Sequence, residues 1–266
     1  MDFSLSEEQE LLRKSARDFL AAECPKSVVK EIEASEEGYS PGLWRKMADL
    51  GWMGLAIPEE YGGAGFSLVD LAVLFEEFGR AAAPGPMFST VALGALPILE
   101  WGSEEQKKAL LPRVASGDLM LTLASSEAEV GHDPRFVAAT ALSRDGGFAV
   151  SGTKLFVPYA QLAGYLLVVC RTAGKPGDDD GLSVLVVDRN AGGVKLTALT
   201  TIGADRLFEV EFDGTPVSST DVLGSEGEAL PMARSILRKA AALQCAQMVG
   251  GAQMELEITA ERAKNR

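Results

Sequence analysis

The residues of this chain that could do chemistry are concentrated in one short segment, 121–133, which reads LTLASSEAEVGHD. Two adjacent hydroxyls, Ser125 and Ser126, follow an apolar run of strand length, and carboxylates and the only histidine, His132, come after them. Hydroxyls at the end of a strand can donate to the polar edge of a ligand, where negative charge grows during a reaction. The alternative reading is structural, with the serines at a plain strand edge and His132 in a surface loop.

Metal and disulfide chemistry are not predicted. A single histidine excludes a site built on two histidines. Cys24, Cys170 and Cys245 lie far apart and are odd in number, so they support neither a zinc ribbon nor a disulfide framework. The chain also lacks G-x-G-x-x-G and G-x-x-x-x-G-K-[ST], the Rossmann and P-loop fingerprints.

The charge of the chain argues against a nucleic-acid partner. The formal net charge is -13, from 25 basic and 38 acidic residues, and such a surface repels phosphates. An anionic ligand is still compatible with this charge where basic groups or helix N-termini are concentrated. No apolar stretch reaches the roughly eighteen residues of a membrane span. The start, MDFSLSEEQELL, is acidic and unlike a signal peptide, so we expect a cytoplasmic protein.

The elements that must position these residues begin with an all-helical domain over residues 1–118. Three of its helices open on a serine with a capping partner three residues later, at Ser6–Gln9, Ser67–Asp70 and Ser103–Gln106. A further helix fits residues 41–50. The glycine cluster that ends at residue 65, EEYGGAG, must be a loop, because glycine is unfavourable in a helix interior.

Residues 119–224 are predicted to form an antiparallel β domain. This stretch is rich in valine, threonine and glycine, and it alternates or runs apolar over strand-length pieces. The clearest strands are at 148–150, 166–170 and 182–187, and residues 210–212 are predicted to form another. Residues 174–181 form an exposed loop. The lengths and turn signals favour an antiparallel sheet over βαβ units.

Residues 225–266 are predicted to contain one long helix, from position 230 onward. This stretch has no proline beyond Pro231 and is dense in strong helix formers. Because a helix this apolar should be buried, we expect it to be the first helix of a C-terminal helical domain that is incomplete here. The predicted fold class is therefore α+β, with a helical domain, a β domain and the start of a second helical domain.

This helix–sheet–helix order resembles the acyl-CoA dehydrogenase family. The similar segments are SEEQELLRKSARDFL, residues 47–54, IPEEYGGAG, EEQKKALLPRVASG, residues 121–133, GTKLFVPYA and the last helix, and together they span essentially the whole chain. The resemblance implies FAD as cofactor, an acyl-CoA substrate and an electron-transfer flavoprotein or similar acceptor. It also implies a homo- or hetero-oligomer, either a dimer or a tetramer.

The resemblance also implies where the flavin is bound. Residues 121–133 are similar to the family's A-x-T-E-P-x-A-G-S-D, so Ser126 takes the place of a threonine whose hydroxyl meets the flavin pyrimidine ring. Leu123 and Ser125 lie beside it in the chain and are assigned to the cofactor with it. Departures from the pattern are Ala128 for proline and His132 for serine.

A second segment, GTKLFVPY, is similar to the family's G-x-K-x-[WF]-I-[TS]-N, in which the aromatic ring packs against the flavin. Phe156 and Val157 fit this pattern. Pro158 stands where a hydroxyl would bond near flavin N5, and proline has neither that hydroxyl nor an N–H. The remaining implied contacts are Arg266 for the flavin pyrophosphate of a neighbouring subunit, and His132 and Arg206 for the substrate.

In the reaction that the family implies, a glutamate removes the α-proton while the β-hydrogen leaves as hydride to flavin N5. That glutamate lies in the C-terminal domain of most members and on the helix matching residues 230–266 in others. The matching position falls near Ala240, which carries no carboxylate, so no catalytic residue is assigned.

Three hypotheses follow. The chain belongs to an acyl-CoA dehydrogenase whose base lies elsewhere, or it is a non-catalytic partner subunit, or it is an acyl-CoA oxidase-like flavoprotein. The motif KLFVP, with its non-standard flavin contacts, is similar to the branch with heteromeric enzymes for steroid side chains or dicarboxyl chains.

Overall fold

The structure, a computed structural model, describes residues 4–128 and 133–265. Helices occupy its first part. In chain order they are α1 (Glu7–Glu23), α2 (Lys26–Ala34), α3 (Pro41–Asp49), α4 (Leu68–Ala81), α5 (Met87–Thr90), α6 (Leu96–Trp101) and α7 (Glu104–Ala115). A π-helical turn joins α5 to α6. The predicted N-terminal helical domain is confirmed.

Serine caps begin three of these helices, as the sequence predicted, at Ser6, Ser67 and Ser103. Each serine hydroxyl accepts a hydrogen bond from the N–H three residues on, and the side chain at that position accepts one from the serine N–H. Gln9 also donates from Nε2 to Asp70 at 2.9 Å. The cap of α1 therefore also fixes α1 against the first turn of α4.

The next part of the described chain forms one eight-stranded sheet. Its strands are β1 (Leu121–Ala124), β2 (Thr140–Arg144), β3 (Gly147–Pro158), β4 (Tyr165–Arg171), β5 (Leu182–Asp188), β6 (Val194–Leu199), β7 (Leu207–Ser218) and β8 (Val222–Leu223). The order across the sheet is β6-β7-β3-β2-β4-β5-β8, and β1 pairs with β4. The strands predicted at 148–150, 166–170, 182–187 and 210–212 lie within β3, β4, β5 and β7, and are confirmed.

Most neighbouring strands run antiparallel, as expected. Two short pairings are parallel, because β1 and β2 both run in the same direction as β4. The carboxyl end of β1 therefore lies at the same edge of the sheet as the carboxyl end of β4. The β3–β7 pairing shifts register between Lys154 and Val157. Such a shift bends a strand and turns the residues that follow it.

A long helix, α8 (Leu230–Lys264), joins the two parts of the molecule and confirms the helix predicted from residue 230. Its first turns bury Leu230, Ala233 and Ile236 in the hydrophobic cluster that includes the sheet. Leu243, further along, belongs to the cluster formed by the helices of the first part. One helix thus contributes to both hydrophobic cores.

The α8 helix crosses α4 at two glycines. A Cβ atom on Gly79 would lie 1.7 Å from the carbonyl oxygen of Gln247, and one on Gly250 would lie 1.7 Å from that of Glu76. The two backbones are therefore in direct contact, and no larger residue fits at either position without moving a helix.

At this crossing and further along the helix, α8 leaves apolar side chains in solvent. Met248, Val249 and Leu256 are all more than half exposed. Grouped apolar side chains on a helix surface are typical of a contact with other protein. Within the described ranges, neither α8 nor any other helix combines the length and apolar character needed to cross a membrane.

Candidate functional site

A cavity of about 270 Å³ lies between the carboxyl end of β1, the segment 133–137 and the first turns of α8. Three polar residues, Ser125, Ser126 and Asp133, lie on its wall. The rest of the wall is apolar, and it consists of Leu123, Pro134, Val137, Val169, Ala233, Ile236 and Leu237. An apolar cavity with a few converging polar groups is the usual form of a small-molecule site.

The two serines reach the cavity because the chain leaves the sheet after Ala124, the buried last residue of β1. The carbonyl oxygen of Ser126 accepts a hydrogen bond from the N–H of Leu155 at 2.9 Å, which holds this segment beside β3. The hydroxyls of Ser125 and Ser126 hydrogen-bond to no residue that the structure describes. Both are therefore available to donate to a ligand in the cavity.

The next residue, Glu127, forms a buried ion pair with Lys154 of β3. Oε1 of Glu127 lies 2.5 Å from Nζ of Lys154, and the lysine side chain is fully buried. The carboxylate also accepts hydrogen bonds from the N–H groups of Ala138 and Ala139, at 2.8 and 3.0 Å. Burial lowers the pKa of Lys154, and the neighbouring Glu127 opposes this shift by favouring the charged form.

This ion pair was not predicted from the sequence, although Glu127 lies in LTLASSEAEVGHD and Lys154 in GTKLFVPYA. The partners are 27 positions apart. The sequence feature that could have predicted the pair is a lysine at an inward-facing position of a strand. A lysine that is buried there requires an acidic partner.

The end of β3 carries Phe156, Val157 and Pro158 on an irregular backbone. Phe156 has a φ of 56° and a side chain that is 57% exposed, whereas Val157 is buried. A left-handed φ costs a non-glycine residue about 1 to 3 kcal/mol, and such strain is concentrated at functional sites. The Pro158 carbonyl accepts a hydrogen bond from the Thr122 hydroxyl at 2.7 Å, which joins this segment to β1.

Tyr159 continues the irregular segment and was not among the predicted site residues. Its φ is 50°. Its hydroxyl accepts a hydrogen bond from the N–H of Gly85 at 3.1 Å and donates one to Asp205 at 3.2 Å. Burial, reinforced by Asp205, raises the pKa of Tyr159, so the phenol stays protonated. These bonds anchor the end of β3 to the loop before α5.

Asp133, the carboxylate on the cavity wall, is held by two arginines. Arg135 donates to its Oδ2 at 2.6 and 2.8 Å, and Arg234 of α8 lies 3.9 Å from its Oδ1. The hydrogen bonds from Arg135 hold the pKa of Asp133 below its usual range. An aspartate held in this way is a poor proton acceptor. Ala240 is buried on α8 and offers no carboxylate in its place.

The remaining predicted residues lie elsewhere. Arg206 does not line this cavity, and its guanidinium donates to the backbone carbonyls of Glu33, Ser35, Glu36 and Ala204. It joins the connection between α2 and α3 to the chain before β7, and its assignment to the substrate stays a prediction. His132 and Arg266 lie outside the described residues.

The arrangement suits an organic ring. The cavity offers two hydroxyl donors from Ser125 and Ser126 and an apolar wall opposite, and the ring of Phe156 stands exposed where β3 ends. These groups fit a planar heterocycle with one polar edge. Ligand cavities typically measure about 300 to 1,000 Å³, so a dinucleotide would extend out of this one. Among the described residues, no group of three His, Cys, Asp or Glu side chains could hold a metal ion.

Comparison with known families gives two adjoining matches. The model "Acyl-CoA dehydrogenase, N-terminal domain" matches residues 6–118, and the model "Acyl-CoA dehydrogenase, middle domain" matches residues 122–215. The middle-domain match contains Ser125, Ser126 and Phe156, together with the buried pair of Glu127 and Lys154.

Individual proteins give matches over nearly the whole chain. The chain is 32% identical over 268 residues to an acyl-CoA dehydrogenase of Bacillus subtilis (strain 168), which covers 98% of this chain and 70% of that protein. A variant of the Tcur3481-Tcur3483 steroid ACAD is 35% identical with a TM-score of 0.85, covering 99% and 68%. The ChsE4-ChsE5 complex from Mycobacterium tuberculosis is 27% identical with a TM-score of 0.89, covering 100% and 69%.

Proposed function

This chain belongs to the acyl-CoA dehydrogenase family, and on that premise we propose that it acts in the FAD-dependent dehydrogenation of an acyl-CoA thioester between its α and β carbons. The observation that carries the proposal is the cavity that Ser125 and Ser126 line together with apolar residues of α8. The similarity to an acyl-CoA dehydrogenase of Bacillus subtilis supports this choice of reaction.

In this proposal the cofactor lies against the ends of β1 and β3. Ser125 and Ser126 donate to the polar edge of the flavin ring, and donors placed where negative charge develops favour reduction. Phe156 and Val157 pack against the ring, and Leu123 forms part of its apolar surroundings. When bound, FAD supplies the acceptor for the hydride that leaves the β carbon. Arg266 is proposed to contact the pyrophosphate of a neighbouring subunit's cofactor.

The acyl thioester is proposed to lie between the ring and α8. Ala233 and Ile236 provide the apolar side of this space and exclude water from it. His132 and Arg206 remain the proposed contacts to more distant parts of the substrate.

The base for the α-proton is proposed to come from outside these 266 residues. Asp133 is bonded by Arg135, and Ala240 has no acidic group. Either a further segment of a longer chain or a partner chain would have to bring a carboxylate to the cavity. We propose that the protein works as an oligomer and passes its electrons to an electron-transfer flavoprotein or a similar acceptor.

The second candidate is a subunit that shapes a flavin or CoA site without catalysing the reaction. Pro158 favours it, because a proline there cannot donate a hydrogen bond to the flavin. The similarity to the ChsE4-ChsE5 complex supports pairing with a different chain.

The test is the visible absorbance spectrum of the purified protein without oxygen, before and after acyl-CoA thioesters of different chain types are added. We expect flavin bands that bleach with substrate when the protein is in its native assembly. Flavin that is gained only with a partner chain would favour the second candidate. Peroxide release on admission of oxygen would indicate an oxidase, and a protein that never binds flavin would contradict the proposal.

A further inference from the structure

Two walls of the cavity are linked by one carboxylate. Ser125 and Ser126 form one wall, and the segment 133–137 forms another. Glu127 follows the serines directly, and its carboxylate accepts the N–H groups of Ala138 and Ala139, which directly follow the other wall. The position of each wall therefore depends on the same side chain.

Lys154 connects this carboxylate to β3. Its Nζ lies 2.5 Å from Oε1 of Glu127 and 3.4 Å from the carbonyl oxygen of Ser125, to which it donates. The next residue, Leu155, donates its N–H to the carbonyl of Ser126 at 2.9 Å. Both serines are thus held through their backbone carbonyls. Their hydroxyls take no part in this network.

Stability alone does not account for such a pair. Removing two charges from water is costly, and an apolar pair of similar volume is often as stable as a buried ion pair. A buried, fully bonded network does restrict the surrounding backbone to one arrangement. The lysine side chain is fully buried and that of Glu127 is only 9% exposed, so water does not compete for these bonds.

From these contacts we propose that Glu127 and Lys154 are positioning residues that set the separation of the cavity walls and the orientation of Ser125 and Ser126 toward the cofactor. The inference rests on the proposed flavin function. Neither residue is proposed to contact the cofactor itself. Substitution of either one is expected to change cofactor binding by displacing Ser125 and Ser126.

Three variants test this role. Glu127→Gln keeps the shape of the side chain and removes its charge, and Lys154→Met keeps an unbranched apolar stem. The double variant leaves no unpaired charge buried, so we expect it to regain most of the stability that each single variant loses. Lys195→Met is the matched control, because Lys195 pairs with Glu211 at 3.4 Å in the same sheet with both side chains exposed.

The measurements are the flavin dissociation constant, the flavin reduction potential, the free energy of unfolding and the hydrogen exchange of backbone amides. We expect the double variant to bind flavin about tenfold more weakly than the wild type. We also expect the flavin reduction potential of the double variant to differ from that of the wild type. Its backbone amides at residues 126–128 and 137–139 should exchange faster than those of the wild type, even though the double variant regains stability. The control should match the wild type in every measurement.

A folded double variant with the wild-type flavin affinity, potential and exchange would overturn the proposal. If the double variant does not fold, the same measurements on Glu127→Gln decide the question. A wild-type protein that never binds flavin would contradict the proposed function instead. The exchange comparison would then still decide whether the pair holds the walls, and equal exchange in all variants would show that it does not.

Discussion

At the scale of single side chains, the hydroxyls of Ser125 and Ser126 have no partner among the described residues. Ser125 is half-buried and Ser126 is exposed, so both side chains can reach a ligand in the cavity that they line. Pro158, at the facing strand end, cannot donate at all. In the proposed site, hydrogen bonds to the cofactor are therefore expected from the end of β1.

Ser126→Ala is expected to weaken flavin binding by about tenfold, because it removes one donor to the ring. The free energy of unfolding should change by less than about 0.5 kcal/mol, since the hydroxyl bonds to no described residue. Fluorescence titration with flavin and urea unfolding measure the two quantities. Ser143→Ala, at an exposed serine of β2, is the control. Equal flavin affinities in the two variants would remove Ser126 from the site.

Among the helices, the crossing of α4 and α8 determines where the cavity is closed. The first turns of α8 supply Ala233 and Ile236 to the cavity wall. The position of those turns depends on the contact that Gly79 and Gly250 permit further along the helix. A substitution that moves the two helices apart at the crossing should therefore also displace Ala233 and Ile236 at the cavity wall.

Gly79→Ala and Gly250→Ala should each destabilise the protein by about 3 kcal/mol, because the added methyl group would overlap a backbone carbonyl and push the helices apart. Gly251→Ala is the matched control. A Cβ atom there would lie 3.5 Å from the carbonyl oxygen of Gly79, an ordinary contact, and alanine favours a helix. Urea unfolding compares the three variants. A Gly250→Ala variant as stable as Gly251→Ala would show that α8 does not pack on α4 in this way.

For the molecule as a whole, α8 couples two hydrophobic cores. Ile236 belongs to the core that includes the sheet, and Leu243, two turns later, belongs to the core of the first helices. A rigid helix with side chains in both cores makes their unfolding interdependent.

Leu243→Ala is expected to cost about 3 kcal/mol, because it opens a cavity at a fully buried position. If α8 couples the cores, hydrogen exchange should accelerate in β4 and β5 as well as in α1 and α4. Leu256→Ala, at an exposed position of the same helix, should change neither region. Faster exchange confined to the helices would mean that the two cores unfold independently.

Much of the fold follows from rules that act over a few residues. The capping serines Ser6, Ser67 and Ser103 open helices because each hydroxyl bonds an N–H three residues away. The strands in β4 and β5 are apolar runs that fit buried positions, and α8 follows from helix formers without an interrupting proline. The same local reasoning, with the family resemblance, led to Ser125 and Ser126, which the structure places on one cavity wall.

The supporting contacts of the site could not be derived in this way, because their partners are distant in sequence. Glu127 meets Lys154 across 27 positions, Tyr159 meets Gly85 across 74, and Arg206 reaches the carbonyl of Glu33 across 173. Local patterns state which side chains prefer burial or a hydrogen bond, but they contain no distances between remote segments. The packing of the sheet against the helices decides which lysine is paired with a carboxylate and which arginine is already bonded to backbone carbonyls. It also decides how closely two helices approach each other.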